Sequence, residues 1–335
     1  RETAQWLGDV AGVSLGGIYA CYGDSALPAK FLRQAGANQA VTGMLSNVSN
    51  SLLKNLQGGI PDYSLWYIHG LWQHYMYTGD EGLLHSIYPQ VRRILHVHLA
   101  WLRDGLAVDV PFWVLVDWAH LDRRGVCAPY NALLCHAAEC VARIADLRGD
   151  TPGRSLATAV ADGIRKGFHQ AFWCDRRKCY ADANIDGELS PMTSEHANFA
   201  AIRFGLCDDQ TAATIIDRLL GDSPVEATEA QPFFTSVVLE ALRRVGRTDL
   251  AIDVIRRRWG ERMVARGATS CYEEWYQNGS WRFGYWSGFR RTHSHAWSAC
   301  PAEFLVRQLP GIDPIEPGCR AIRISPAKVD FDYTS

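Results

Sequence analysis

The sequence predicts an all-α fold of helical hairpins closed into a ring, an (α/α)6 barrel, with the start of a β-domain behind it. Three observations carry this reading. Apolar residues recur at three- and four-residue steps through most of the chain. The connections between these segments are short, as between paired antiparallel helices. After Pro310 the pattern changes to the alternating, strand-like Arg320-Ala321-Ile322-Arg323-Ile324-Ser325. The hairpin spacing would equally fit an α-solenoid, but no self-similarity of about 34 or 40 residues runs along the chain.

About eleven helices are expected, in order. Residues 9–22 and 27–54 come first, then 62–77. In the next segment, 80–102, Pro89 is expected to interrupt the helix and open a fresh one, because it has no amide hydrogen to donate. Residues 130–147 read most clearly, with Leu133, Leu134, Ala137, Val141, Ile144 and Ala145 on one stripe. Further helices span 153–171, 194–205, 208–220, 232–245 and 248–259, with Asp208 and Thr248 as N-caps. The last covers 293–308.

A chain of 335 residues is long enough to bury roughly three quarters of its unfolded surface. The apolar share of 47% and charged share of 21% suit a globular protein, and no long apolar run suggests a membrane span. The formal net charge of -2 supplies no electrostatic footprint for nucleic acid or anionic lipid. The 12 tryptophans are the unusual feature: several stand beside acidic or histidine residues, as in sites that stack on sugar rings, although Trp is also a common core residue.

Ten cysteines in a chain of this size do not make a disulfide scaffold. Cys174 and Cys179 flank the turn-like Asp175-Arg176-Arg177-Lys178, so a cross-strand disulfide is geometrically open. Asn47 and Asn278 head weak glycosylation sequons. The chain opens at Arg1 without a methionine and inside a motif, so its N-terminus is expected to lie upstream and the compartment is undetermined. The oligomeric state is equally open.

Gly12-Val13-Ser14-Leu15-Gly16 matches the nucleophile-elbow pattern but lies in a helical segment, whereas an elbow needs a preceding strand. Histidines 69 and 74, 96 and 98, and 293 and 295 lack the spacing that sets two imidazoles on one helical face, so no metal site is expected. No phosphate-cradling loop is present.

Four acid and aromatic clusters remain, all in connections. Arg1-Glu2-Thr3-Ala4-Gln5-Trp6-Leu7-Gly8-Asp9 offers two carboxylates, a guanidinium and an indole. It also reads as a helix start. Ile60-Pro61-Asp62-Tyr63-Ser64-Leu65-Trp66 and Val116-Asp117-Trp118 set an acid near an aromatic, the first acceptor for sugar hydroxyls and the second a surface for the C–H face of a pyranose. Asp62 equally reads as an N-cap. The fourth cluster is Ser270-Cys271-Tyr272-Glu273-Glu274-Trp275, with Ser294-His295-Ala296-Trp297 downstream, where one glutamate is a candidate base. In an extended segment only one of the pair can face a cleft, leaving the other outward or paired with a cation.

In this order, the clusters resemble the signature stretches of glycoside hydrolase family 78, the α-L-rhamnosidases, over nearly the whole chain. The opening is similar to that family's R-E-x-x-x-W-x-G-D segment, which implies Glu2 as general acid and Arg1, Trp6 and Asp9 as substrate-binding residues. Tyr272-Glu273-Glu274-Trp275 resembles W-E-x-W, with Tyr272 in place of the usual Trp, which implies Glu273 as general base. Ser294-His295-Ala296-Trp297-Ser298 implies that His295 contacts the sugar. Ile60-Pro61-Asp62 and Asp117-Trp118 fall on pocket-lining stretches, with Trp66 beside the first. The family carries an Asp-Cys-Pro just before the Arg-Glu, so residues 1–310 are expected to be the barrel without its first helix, and 311–335 the beginning of a C-terminal β-sandwich.

The resemblance therefore implies an inverting hydrolase that releases terminal α-L-rhamnose, with a carbohydrate as its partner and no cofactor. Inversion requires the two carboxyls roughly 6.5–9.5 Å apart to admit a water. The alternatives are a six-hairpin glycosidase of other sugar specificity and a catalytically dead carbohydrate-binding paralogue.

Overall fold

A computed structural model describes residues 4–49, 59–275 and 292–329. A π-helical stretch, Asp9–Ser14, runs into α1 (Leu15–Tyr22), and α2 (Ala26–Ala37), α3 (Pro61–Thr78) and α4 (Glu81–Leu99) follow. Beyond short strands β1 (Leu102–Arg103), β2 (Leu106–Ala107) and β3 (Val126–Cys127) come α5 (Ala128–Leu147) and α6 (Thr151–Phe172). Strands β4 (Trp173–Cys174), β5 (Cys179–Tyr180), β6 (Ala183–Ile185) and β7 (Glu188–Leu189) lead to α7 (Glu195–Arg203) and α8 (Asp209–Leu220). The chain continues with α9 (Pro232–Arg244), α10 (Thr248–Ile255), α11 (Cys300–Glu303), β8 (Ile312–Pro314) and β9 (Ile322–Ile324).

The odd-numbered helices close a ring: α1 packs on α3, α3 on α5, α5 on α7, α7 on α9, α9 on α11, and α11 on α1. The even-numbered helices lie outside it, with α4 against α3 and α5, α6 against α5, α8 against α7 and α10 against α9. Sequence makes the division. Inner helix α3 buries residues on all sides, from Pro61 through Tyr75, whereas outer helix α6 buries one stripe, Ala157, Val160, Ala161, Ile164 and Phe168. Gly70 permits a close approach within the ring, since a Cβ there would come within 3.1 Å of the Ala11 backbone.

Several expectations are corrected. The second helix ends at Ala37, and Asn38–Ser49 is not helical; Gly43 adopts φ +96°, and short bridges pair Gln39 with Leu45 and Trp6 with Val48. Pro89 lies within an unbroken α4, on its exposed face, where the carbonyl deprived of a partner can be hydrated. Asp208 caps α8 by accepting from the Thr211 amide, but Thr248 is already inside α10. The last helix is broken into a 3-10 turn at Ala296–Ala299, α11 and a π turn at Phe304–Gln308. Strand β8 pairs antiparallel with β9. Cys174 and Cys179 are register partners in the β4–β5 hairpin, and both are free thiols.

Candidate active site

Residues at or just before the N-termini of inner helices converge at one end of the ring. Asp9 precedes α1, Asp62 stands in the first turn of α3, His196 in the first turn of α7, Gln231 before α9 and His295 ahead of α11. Helix N-termini carry partial positive charge and suit a site built on carboxylates.

At its centre, His295 Nε2 donates to Asp9 Oδ1 at 2.9 Å, and His295 Nδ1 lies 3.8 Å from Glu273 Oε2. The Tyr63 hydroxyl donates to Asp9 Oδ2 at 3.1 Å, and burial together with the Asp9 charge raises its pKa. Gly8 makes this approach possible, because any Cβ there would collide with the Tyr63 ring. Glu273 is anchored at both ends: its amide donates to the Thr292 carbonyl (3.0 Å), and its Oε2 accepts from the Thr292 amide (2.8 Å). Trp297 Nε1 donates to the Glu273 carbonyl (2.8 Å), and the Trp297 and His295 rings lie 4.4 Å apart.

Asp62 and Asp117 lie deeper. Asp62 is 1% exposed and its two oxygens accept from the amides of Leu115 (3.2 Å) and Val116 (2.9 Å). Burial lifts its pKa to about 6 against those amide bonds, which pull it down. Asp117 Oδ2 accepts from His196 Nε2 (2.8 Å) and from the Gln231 amide (2.8 Å), and Oδ1 from the Trp118 amide (2.9 Å). Gln231 Oε1 in turn accepts from the Trp275 amide (2.8 Å), so Gln231 ties the 115–118 turn to the segment that holds Glu273.

The structure thus brings Asp9, Glu273 and His295 into direct proximity, while Asp62 and Asp117 secure backbone around them. Trp6 packs edge-on against Tyr63. Trp118 is half-buried beside Trp113, whereas Trp66 is core, between Phe233 and Phe204 with the Arg203 guanidinium over its ring. Glu274 is buried and not outward. Arg1 and Glu2 lie outside the described residues, as does Asn278. Asn47 is buried, with its side-chain oxygen accepting from the Ile60 amide. Ser14 sits in the π-helical stretch and donates to the Asp9 carbonyl. Among the described residues no group of three or more His, Cys, Asp or Glu is arranged to hold a metal, and no helix is long and apolar enough to cross a membrane.

Sequence reasoning missed Thr292, His196 and Gln231 as supports of the site. Tyr63 lay inside a noted cluster, but nothing in its spacing signals a bond to Asp9.

Residues 1–309 match the family model of the bacterial alpha-L-rhamnosidase 6 hairpin glycosidase domain. The chain belongs to this family. A GH78 rhamnosidase of Bacillus sp. GL1 superposes with a TM-score of 0.86 at 26% identity, over 97% of this chain and 34% of that one. The rhamnosidase of Klebsiella oxytoca with rhamnose bound gives a TM-score of 0.79 at 20% identity, over 91% of this chain and 58% of that one. An alpha-L-rhamnosidase of Formosa agariphila is 21% identical over 267 residues, which are 76% of this chain and 27% of the relative. This six-hairpin glycosidase domain therefore spans about a third or less of the length of the Bacillus and Formosa relatives.

Proposed function

We propose that this six-hairpin domain hydrolyses terminal α-L-rhamnosides with inversion, Glu273 acting as general base and Glu2 as general acid. The observation that supports it best is the Glu273 carboxylate, fixed by Thr292 and facing the Asp9–His295 pair at the end of the ring where the inner helices begin. In this reading Glu273 takes a proton from water as its oxygen attacks the anomeric carbon, and Glu2 gives a proton to the departing glycosidic oxygen. Asp9, His295, Arg1 and Trp6 hold the sugar. Asp62 and Asp117 act on it through the turn they secure, with Trp118 on the wall and Trp66 behind it. Residues 311–335 begin a further β-domain.

The test is the fate of the anomeric centre. Proton NMR of a fresh digest of an aryl α-L-rhamnoside should show β-L-rhamnose first. With Glu273→Ala, added azide should restore turnover and yield the β-configured glycosyl azide. Initial release of the α anomer would overturn inversion, and no release of rhamnose from any rhamnoside would overturn the reaction. Glu2→Gln should remove the basic limb of the pH-rate profile.

A further inference from the structure

The loop from Asp109 to Arg124 is secured far more firmly than a surface connection needs. The Arg123 guanidinium donates to the carbonyls of Leu115, Asp117, Ala119 and Leu121, the Asp62 carboxylate takes the amides of Leu115 and Val116, and the Asp109 amide donates to the Gly125 carbonyl. This fastening sustains strained backbone: Phe112 has φ +72° and Val116 φ +54°, left-handed conformations that are costly for an aromatic and especially for a β-branched residue. What the strained frame displays is apolar. Phe112 is 63% and Trp113 42% exposed, and the Trp113 and Trp118 rings stand 5.4 Å apart at 48°. Rigid aromatic side chains held out to solvent lose little entropy when a ring packs on them.

The loop's position says which ring. The Trp113 amide donates to the Gly59 carbonyl, and Asp62 ties the loop to the first turn of α3, next to Tyr63, which reaches Asp9. The loop thus stands at the end of the barrel that holds the Asp9–His295–Glu273 cluster, linked to it through the first turn of α3. A glycosidase of terminal residues needs a place there for the group that leaves.

We propose that Phe112 and Trp113 form a leaving-group subsite, built against Trp118 on the wall of the sugar site, that selects rhamnosides whose departing alcohol carries a ring with an apolar face, Trp113 being the stacking surface. This rests on the rhamnosidase reading above. The Trp118 indole packs against Trp113 at 5.4 Å and 48° and so holds the Trp113 ring in place, and a fixed indole face offers a flexible acyclic alcohol little.

The experiment compares the intact protein with Trp113→Ala and Trp113→Phe on 4-nitrophenyl α-L-rhamnoside, a rhamnosyl-glucose disaccharide and methyl α-L-rhamnoside, with free L-rhamnose as inhibitor. Loss of stacking should raise KM for the nitrophenyl substrate about 3- to 10-fold in Trp113→Ala with kcat little changed, and Trp113→Phe should recover most of it. KM for the methyl glycoside and Ki for rhamnose should stay within about twofold. A parallel rise for the disaccharide assigns the subsite to sugar as well as aryl rings, and its absence to aryl rings alone. Equal changes on all substrates, or none on the nitrophenyl one, would overturn the subsite while leaving the reaction intact. If wild-type protein cleaves no rhamnoside, the reaction itself falls and the subsite with it.

Discussion

His295 Nε2 stands 2.9 Å from Asp9 Oδ1, an imidazole oriented by a carboxylate 286 positions away along the chain, with its other ring nitrogen turned toward Glu273 Oε2. Only closure of the helical ring brings these residues together. A carboxylate that fixes both the tautomer and the plane of a histidine makes the two act as a unit.

Asp9 and His295 should therefore be non-additive. Asp9→Ala and His295→Ala should each lower kcat/KM by about 10- to 100-fold, and the double variant should cost little more than the worse single one. The coupling should fall in the range of about 0.5–3 kcal/mol seen for side chains in contact. Strictly additive losses in kcat/KM would show that the pair acts independently.

Glu273 and Glu274 should separate into activity and stability. Glu273 is half-buried and faces His295, whereas Glu274 is 1% exposed. Glu273→Ala should lower kcat by about 10²–10⁴ with a near-normal melting temperature. Glu274→Ala should destabilise by about 1–3 kcal/mol and keep most of the kcat per folded molecule. The reverse outcome would move the base to Glu274.

Asp62 should show its role as an anchor. Asp62→Ala leaves the Leu115 and Val116 amides without their carboxylate, at about 1–3 kcal/mol for each buried donor left unmade. Thermal unfolding should move down by several degrees, and amide exchange at Val116 should accelerate. Unchanged exchange there would refute the anchoring.

The legible part of this fold was its burial pattern. Helices α3, α5, α6 and α9 follow from apolar spacing because such stripes have no other way to leave water. The same signal failed at 38–49, where Met44, Leu45 and Val48 are indeed buried, but through short bridges around Gly43. Periodicity reports which residues turn inward and not the backbone that turns them. At the candidate site, acids beside aromatics in connections marked segments that the fold brings together. Spacing did not distinguish Asp9, which meets His295, from Asp62 and Asp117, which are consumed by amides, since that depends on contacts between segments far apart in the chain. Nor did it point to Thr292 or Gln231.

A final prediction concerns acid stability, through a histidine pair inside the ring. His69 on α3 and His136 on α5 share a hydrogen bond, Nδ1 to Nε2 at 2.9 Å, with Cys140 Sγ 3.7 Å from His136 Nε2 and the Phe204 ring stacked on His136. Burial, helped by the Arg203 charge, depresses His69 to about 3, and burial with the His69 neighbour drives His136 well below its ordinary value. The folded state thus prefers both rings neutral, while the unfolded chain binds their protons near pH 6.5. Their contribution is fully present above about pH 6.5 and is lost as pH falls from there toward the folded-state values. Each pH unit below 6.5 should cost up to about 1.4 kcal/mol per histidine. Urea unfolding between pH 7 and 4.5 should show a steep fall in stability, and His69→Gln/His136→Gln, which keeps polar side chains at both positions, should flatten it even if the variant is weaker at pH 7. An identical slope in the double variant would place the acid sensitivity elsewhere, with His98, which burial depresses to about 4, His74, which burial also depresses, and the carboxylates as remaining groups.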